Sequence, residues 1–248
     1  MGILNVTPDS FADGGKHNDF EAAIARGLEM IAEGVDIIDI GGESTRPGAD
    51  RVGEEEEIAR TIPVIAELAK HGTPISIDTM RATTAEAAIK AGASIINDVS
   101  GGLADSEMLQ TAARLHVPYI AMHWRGQSKD MNSKAVYEDV VSDVISELYE
   151  RIEAALDAGI QKDKLIIDPG LGFAKDAEHN WAIIDSIDQF VALGYPVLVG
   201  GSRKRFLGGD TPDEREEATI QLTKRLGTTG VWAVRVHSVK PHKEVLSS

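Results

Sequence analysis

The segment Ser94-Ile-Ile-Asn-Asp-Val-Ser100 shows the pattern that decides the fold of this chain, because it is a short apolar run that ends in polar residues. Seven more runs of this kind occur, at residues 2–7, 35–42, 74–79, 118–123, 165–170, 196–202 and 232–237. Nearly continuous apolar character over so few residues is typical of a strand that is buried on both faces. The sequence therefore predicts eight buried strands.

The segments between these runs have the periodicity of amphipathic helices, which are predicted at residues 20–32, 54–69, 82–91, 106–115, 140–158, 178–193 and 212–226. Repeated alternation of strand and helix predicts an α/β protein, a single (βα)8 or TIM barrel domain over residues 1–248. An open doubly wound sheet is the alternative, but the strand count and the chain length favour the barrel. The last helix, within residues 239–248, is expected to be short.

The composition excludes several classes of function. The net charge is −15, from 40 acidic and 25 basic residues, which argues against nucleic acid or an anionic membrane as a partner. The absence of cysteine excludes disulfides and thiolate metal sites. No apolar run approaches the roughly 20 residues needed to cross a bilayer, and the first residues do not resemble a secretory signal. These features predict a cytoplasmic protein.

Polar residues gather where the predicted strands end, which is where the active site of a barrel lies. They are Asn5, Thr7, Asp39, Glu43, Asp78, Asn97, Asp98, Met122 (the apolar exception), His123, Asp168, Ser202, Arg203, Lys204, Arg235 and His237. A buried charge is unfavourable by several kcal/mol unless it is paired, so a purely structural role for this whole set is the weaker interpretation. The strand ends therefore predict a ligand-binding site.

Two chemical groups stand out among the candidate residues. Asp78, Asn97 and Asp168 offer acceptor oxygens, which suit a ligand edge that carries several N–H donors. A metal site is the competing interpretation, although the chain has no H-x-x-H or H-E-x-x-H motif. The cationic group (Arg46, Arg203, Lys204, Arg235 and His237) indicates an anionic ligand, most simply phosphate or pyrophosphate.

Three glycine-containing loops follow strands. The pair Gly200-Gly201 would let a ligand approach the backbone closely, and loops after the seventh and eighth strands often bind phosphate in this fold. Residues 5–15 and 41–48 mix glycine, proline and polar groups. They are either ordinary turns or a lid that closes over a ligand.

Seven motifs, in order along the chain, resemble those of the dihydropteroate synthases, which are pterin-binding enzymes. They are Gly2-Ile-Leu-Asn-Val-Thr-Pro-Asp-Ser-Phe11, Asp39-Ile-Gly-Gly-Glu-Ser-Thr-Arg-Pro-Gly48, Ser76-Ile-Asp-Thr79, Asn97-Asp-Val-Ser-Gly101, Asp168-Pro-Gly-Leu-Gly-Phe173, Ser202-Arg-Lys204 and Arg235-Val-His237. The resemblance runs from the first strand to the eighth. Met122-His-Trp-Arg125 and Ser202-Arg-Lys-Arg-Phe-Leu-Gly208 look most like actinobacterial members.

The resemblance implies an activity, a site and a cofactor. The reaction would join 6-hydroxymethyl-7,8-dihydropterin pyrophosphate to p-aminobenzoate in folate biosynthesis, with SN1-like loss of pyrophosphate, and sulfonamides would compete at the p-aminobenzoate pocket. The implied pterin contacts are Asp78, Asn97, Met122, Asp168, Phe173, Gly200 and Lys204. The pyrophosphate contacts are Asn5, Arg235 and His237, with Asn5 also reaching Mg²⁺, and the p-aminobenzoate contacts are Phe11, Thr45, Arg46, Pro47 and Ser202. Asp78, Asp168, Lys204 and Arg235 would be the catalytic residues.

Three alternatives stay open within this interpretation. A methyltetrahydrofolate methyltransferase would share the pterin cradle, but it would not need the Ser44-Thr-Arg-Pro47 loop or the pair Arg235 and His237. A non-catalytic paralogue would only bind pterin, and a drug-insensitive synthase is disfavoured because Phe11 and Pro47 are ordinary for the family. The family also implies a homodimer built by the terminal helices. Its departures here are a first strand without a lead-in, the short last helix and a shorter segment after Leu207.

The division into acceptor and cationic groups makes one testable prediction. Replacing Arg235 with alanine should weaken the binding of pyrophosphate and leave the binding of pterin intact.

Overall fold

Eight parallel strands form at the predicted places, each shorter than its apolar run. The computed structural model describes residues 1–7, 15–43, 52–127 and 131–247. The strands in these ranges are β1 (Gly2–Asn5), β2 (Ile38–Gly41), β3 (Ile75–Asp78), β4 (Ile95–Asp98), β5 (Tyr119–Met122), β6 (Leu165–Asp168), β7 (Leu198–Val199) and β8 (Ala233–Val234).

The strands close into a barrel. β1 to β6 pair in sequence order as one parallel sheet, and β7 pairs with β8. Bridges from Ile167 to Val197 and from Gly2 to Val236 join these two parts. The amide of Ile3 donates to the carbonyl of Val236 at 2.8 Å, so the last strand bonds to the first. The predicted (βα)8 barrel is thus confirmed, and the doubly wound alternative, which would leave two open edges, is excluded.

Helices follow the strands in the order that the periodicity predicts. In the described ranges they are α1 (Gly15–Ala32), α2 (Glu54–Leu68), α3 (Ala82–Ala91), α4 (Met108–Leu115), α5 (Val140–Asp157), α6 (Ala177–Asp185), α7 (Ile187–Val191), α8 (Glu216–Leu226) and α9 (Lys240–Leu246). One prediction was wrong: residues 178–193 form two helices, because the backbone leaves the helical region at Ser186 (φ −112°, ψ 23°). The last helix is short, as expected.

Strand alternation divides the buried residues into two layers. Side chains such as Ile40, Ile77 and Ile167 point outward and pack into the core beneath the helices. The inward positions nearest the start of the strands form a separate apolar plug of Met1, Ile95, Ile120, Ile166 and Leu198. Inward positions nearer the strand ends are polar, so the plug seals one end of the barrel and leaves the other for chemistry.

None of the helices in the described ranges is both long and apolar enough to span a bilayer.

Candidate active site

Backbone register brings the predicted acceptor residues to one level of the barrel. Asn5 pairs with Gly41, Gly41 with Asp78, and Asp78 with Asn97, while Met122 pairs with Asp168 on the other side. Partners on neighbouring parallel strands point to the same face, so these side chains line one surface inside the barrel. Asp78, Asn97 and Asp168 are all buried.

Asp39 is a functional candidate to which sequence reasoning gave no role. Its fully buried carboxylate accepts from Arg235 Nε at 2.5 Å and from Asn97 Nδ2 at 3.1 Å. Because a carboxylate can only accept, the amide nitrogen of Asn97 must face it, which leaves the Asn97 oxygen for a ligand donor. Strand alternation could have identified it, because Asp39 is an acidic residue at an inward-facing position of β2.

Arg235, which follows β8, joins the two predicted chemical groups into one network. Its Nη2 donates to Asp78 Oδ2 at 2.6 Å while its Nε holds Asp39. Burial disfavours the charge of Arg235, yet Asp39 and Asp78 keep its pKa above the ordinary value. Burial raises the pKa of Asp78 to about 7, against the lowering effect of Arg235 and with a further increase from Asp39. Acceptors and cation therefore share a buried, charge-coupled centre.

Asp168 and Lys204 form the opposite side of the site. Asp168 Oδ1 accepts from the Gly170 amide at 2.7 Å, and burial raises the pKa of Asp168 although Gly170 and Lys204 oppose the shift. Lys204 donates to the Leu171 carbonyl, and its Nζ lies 4.7 Å from the centre of the Phe173 ring. Burial lowers the pKa of Lys204 to about 8, while Asp168 acts to raise it. The cation is thus held at the edge of the acceptor surface.

Glycine keeps the centre of the site open. A Cβ on Gly200 would lie 3.8 Å from Asp168 Oδ2 and 4.0 Å from Arg235 Cβ, so any side chain there would project between these two groups. At Gly172 (φ +76°) a Cβ would lie only 2.7 Å from Lys204 Cδ. Gly200 therefore borders both Asp168 and Arg235, and its contact with the pterin stays a prediction.

An apolar wall borders the polar surface. Met80, Val99 and Met122 are buried together, with Trp124 and Phe173 packed against them. Met122 and Phe173, both predicted to contact a pterin ring, therefore belong to one cluster. Flat apolar contacts beside in-plane acceptors are what a planar heterocycle with N–H donors requires.

Ser202 and His237 lie in direct contact. Ser202 Oγ is 2.9 Å from His237 Nδ1 and also accepts from the His237 amide at 3.2 Å. The family motifs imply different subsites for them, p-aminobenzoate for Ser202 and pyrophosphate for His237. The structure places both at the junction of the loops that follow β7 and β8.

Three residues from the strand ends turn away from the centre. Arg203 donates to Glu216 Oε2 of α8 at 2.6 Å and to Ser238 Oγ at 2.9 Å, so its place in the cationic group was wrong. Asp98 accepts from Tyr119 Oη at 2.8 Å on the outer face of the barrel. His123 likewise faces outward, because it follows the inward Met122. Strand alternation is the physical reason for Asp98 and His123, whereas Arg203 lies in the loop after β7 with a left-handed backbone (φ +57°).

Four predicted p-aminobenzoate residues, Phe11, Thr45, Arg46 and Pro47, lie outside the described residues. Glu43, at the end of β2, pairs with Arg81 Nη1 at 2.7 Å, and Arg81 Nη2 also reaches the carbonyl of Val52 at 2.6 Å.

Metal binding has limited support in the side chains. Within residues 1–7, 15–43, 52–127 and 131–247, no group of three or more His, Asp or Glu side chains could hold a metal ion. Asn5, partly buried at the end of β1, offers a single amide oxygen. One oxygen donor fits Mg²⁺ only if the ion arrives with phosphate oxygens.

The fold and the site together define a barrel enzyme for a planar, donor-rich heterocycle that carries an anionic group. The family model of pterin binding enzymes matches residues 1–237. The chain is 46% identical to the dihydropteroate synthase of Mycobacterium leprae, an actinobacterium, over 99% of this chain and 90% of the relative. It is 48% identical to that of Bacillus subtilis, over 97% and 83%.

Two solved structures that are similar to this chain are also dihydropteroate synthases. Dihydropteroate synthase from Xanthomonas albilineans, solved with 4-aminobenzoic acid, has a TM-score of 0.94 and 44% identity, covering 100% of this chain and 90% of that one. The Yersinia pestis enzyme, solved with a sulfonamide drug, has a TM-score of 0.94 and 38% identity, covering 100% and 91%. This chain belongs to the dihydropteroate synthase family of pterin-binding enzymes.

Proposed function

We propose that this chain condenses 6-hydroxymethyl-7,8-dihydropterin pyrophosphate with p-aminobenzoate, giving 7,8-dihydropteroate and pyrophosphate. The observation that carries the proposal is the buried acceptor surface of Asp78, Asn97 and Asp168, which lies beside the apolar wall and is bonded to Arg235. The relatives of this chain are dihydropteroate synthases, which are transferases of folate biosynthesis.

The pterin would lie with its amino-pyrimidine edge toward the acceptors. Asp78, Asp168 and the oxygen of Asn97 would receive its N–H donors, while Lys204 would donate to its ring oxygen and nitrogen side. Met122 and Phe173 would cover one face of the ring, and Gly200 leaves the room for it. The roles of Asp78, Asp168, Asn97 and Lys204 follow from the hydrogen-bonding capacity of their side chains.

The pyrophosphate would lie near Arg235, His237 and Asn5. The first two residues supply donors to its oxygens, and Asn5 would hold Mg²⁺ together with the phosphate oxygens. When bound, the metal would neutralise charge on the leaving group.

The chemistry requires departure of pyrophosphate and capture of a cation. Donors from Arg235 stabilise the negative charge that grows on the leaving oxygen. The positive charge that develops on the dihydropterin ring is stabilised by Asp78 and Asp168, whose ionised forms are favoured as that charge grows. The aromatic amine then attacks the exocyclic methylene carbon and loses a proton. No protein nucleophile is needed.

Phe11, Thr45, Arg46, Pro47 and Ser202 are proposed for the p-aminobenzoate pocket from the family motifs. A sulfonamide resembles that substrate in shape and charge, and the relative from Y. pestis was solved with such a drug. We therefore expect sulfonamides to inhibit this enzyme in competition with p-aminobenzoate. A homodimer and a cytoplasmic location stay predictions of the sequence and of the family.

The test is turnover of purified protein with dihydropterin pyrophosphate, p-aminobenzoate and Mg²⁺, with product identified by mass spectrometry. We expect dihydropteroate, loss of activity on removal of Mg²⁺ with a chelator, and competitive inhibition by a sulfonamide. Protein that binds the pterin without turnover would instead be the non-catalytic paralogue. Methyl transfer from methyltetrahydrofolate would indicate the methyltransferase, and normal turnover at high sulfonamide would remove the inhibitor prediction.

A further inference from the structure

A buried lysine, Lys175, holds the loop that connects β6 to α6. This loop carries Asp168 at its start and Phe173 near its end, and two of its carbonyls accept from Lys175: Gly170 O from Nζ at 3.2 Å and Phe173 O at 3.1 Å. Ala174 has φ +48°, a left-handed conformation that is unfavourable for a residue with a side chain. Hydrogen bonds such as those of Lys175, itself a residue of this loop, must therefore stabilise its shape.

The third hydrogen-bond partner of Lys175 is His123, and this contact determines which ring nitrogen of the histidine carries the proton. Lys175 Nζ is 2.9 Å from His123 Nδ1. An ammonium group has three N–H donors and no acceptor, so His123 Nδ1 must accept and its proton must be on Nε2. Nε2 in turn lies 2.9 Å from Glu147 Oε2 of α5, which is also bound by Arg125. A buried chain of hydrogen bonds thus runs from α5 through His123 to the loop.

The neutral state of His123 agrees with this arrangement, which requires the protonated form of Lys175. Burial lowers the pKa of His123 to about 4, and the nearby Lys175 charge adds to the effect, so the ring is neutral as the hydrogen bonds require. Burial lowers the pKa of Lys175 to about 7, while Asp168 acts to raise it and Lys204 and Arg125 act to lower it.

We propose that Lys175 is a positioning residue for the pterin pocket: it holds Gly170 and Phe173 from behind, so that the Asp168 carboxylate and the Phe173 ring face the substrate. The link to the substrate is short, because the amide of Gly170 binds Asp168 Oδ1 at 2.7 Å and Phe173 belongs to the apolar wall. The inference rests on the proposed function. None of the family motifs in the sequence assigned a role to Lys175 or to His123.

A structural role alone explains this lysine poorly. A buried cation is unfavourable unless its partners are well placed, and an apolar side chain of similar length would fill the same space more favourably. Lys175 is 7% exposed, and all the donors of its ammonium group are directed at the loop or at His123. The buried lysine is less favourable for stability than an apolar side chain would be, but it defines one loop geometry.

The first test compares Lys175→Met with Lys90→Met, which removes an exposed lysine paired with Glu86 on α3. We expect Lys175→Met to raise KM for dihydropterin pyrophosphate by about 10-fold to 100-fold, by analogy with groups that orient the ligands of a metal ion. KM for p-aminobenzoate should change by less than about threefold, and Lys90→Met should match the wild type. An unchanged pterin KM in Lys175→Met, whatever its melting temperature, would show that the role is purely structural.

The second test uses His123, in case Lys175→Met does not fold. His123→Asn places an amide oxygen near the position of Nδ1 and preserves the acceptor for Lys175, whereas His123→Leu removes it. We expect the asparagine variant to keep a pterin KM close to that of the wild type and the leucine variant to resemble Lys175→Met. The double variant His123→Leu/Lys175→Met should be no worse than either single variant, because both break one chain. Additive losses, or equal losses in both His123 variants, would overturn the proposal.

Calorimetric titration with dihydropterin pyrophosphate and Mg²⁺ separates this inference from the proposed function. If the wild type binds the pterin but does not turn it over, the proposed function fails, while the ratio of dissociation constants between Lys175→Met and the wild type still decides the role of Lys175. If the wild type does not bind the pterin, both proposals fail.

Discussion

At the scale of single residues, Arg235 changes the interpretation of the site. The sequence suggests separate acceptor and cationic groups, but Arg235 lies between Asp39 and Asp78 and is bonded to both. A residue that neutralises two buried carboxylates cannot be removed without altering them. The prediction that pterin binding survives the loss of Arg235 therefore has to be reversed.

We expect Arg235→Ala to weaken binding of 6-hydroxymethyl-7,8-dihydropterin itself, even without the pyrophosphate. Breaking a buried ion pair also destabilises the fold by about 3–5 kcal/mol. Calorimetry with the unphosphorylated pterin and chemical unfolding would measure the two effects. Arg225→Ala is the control, since Arg225 forms an exposed pair with Asp185 and should change little. Wild-type affinity for the pterin in Arg235→Ala would restore the original division of the site.

Asp78 should make pterin binding depend on pH. Its pKa in the folded protein is about 7, above its usual 3.8. Ligand N–H donors and positive charge favour the ionised form, so the dissociation constant should rise as pH falls below about 7. Asp78→Asn should bind more weakly and show a flatter profile from pH 5 to 8, because it has no proton to lose. A wild-type profile that is flat over this range would contradict the assignment.

Single residues also show where sequence reasoning reaches its limit. The inward acceptors Asp78, Asn97 and Asp168 are predictable from a motif at a strand end together with strand alternation. The contact of Arg235 with Asp39 is not, because it joins residues 196 positions apart through closure of the barrel. Arg203 was misplaced because its sequence neighbours, Ser202 and Lys204, both lie at the site.

At the scale of elements, the first turn of α6 supports the loop that precedes it. The buried Asn180 accepts from the Gly172 amide at 2.7 Å through Oδ1, and its Nδ2 donates to the Asp176 carbonyl at 2.5 Å. The helix and the loop are therefore one structural unit, held together by Asn180 and Gly172 and joined by Lys175 to His123, which follows β5.

Asn180→Ala should destabilise the fold by roughly 1–3 kcal/mol, because it leaves a loop amide without its acceptor in a partly buried place. It should also raise KM for dihydropterin pyrophosphate, since Gly172 borders Lys204. Chemical denaturation and steady-state kinetics are the measurements. Gln221→Ala on α8 is the matched control, because it removes an exposed amide that bonds only within its helix. A stability loss with unchanged kinetics would limit Asn180 to a folding role.

The strands and helices were easier to predict from the sequence than the contacts between individual side chains. Buried strands are short runs of β-branched residues, and the amphipathic helices between them repeat every three or four positions. The division of residues 178–193 at Ser186 was missed, because the apolar pattern continues across the break. Patterns of hydrophobicity record which face is buried, and they do not record where a backbone changes direction.

At the scale of the whole molecule, the last helices hold the closing strand pair in place. α9 packs against α8, where the buried His242 Nδ1 lies 2.8 Å from Thr223 Oγ1. β8 in turn is bonded to the start of the chain, with the amino terminus donating to the Val234 carbonyl at 3.0 Å. A buried imidazole thus joins the last two helices.

Two buried histidines should make the protein sensitive to acid. Burial lowers the folded pKa of His242 below 6.5, and burial lowers that of His123 to about 4. The unfolded chain therefore binds more protons below pH 6.5, so the free energy of unfolding should fall as pH drops from about 6.5 toward 4. The difference in that free energy between the wild type and His242→Gln should shrink over the same interval. A constant difference would show that His242 does not titrate on unfolding.

The pairing of Arg235 with Asp39 and Asp78 makes substrate capture an exchange of partners. A pterin without its anionic tail shares Asp78 with Arg235 and supplies no anion to that cation, and free pyrophosphate would draw Arg235 away from carboxylates that then stand uncompensated. Only a molecule that carries both parts satisfies both sides at once. The two halves of the substrate should therefore bind far more strongly when covalently joined than the sum of their separate affinities suggests, and cleavage of the bond between them would itself loosen the hold on each.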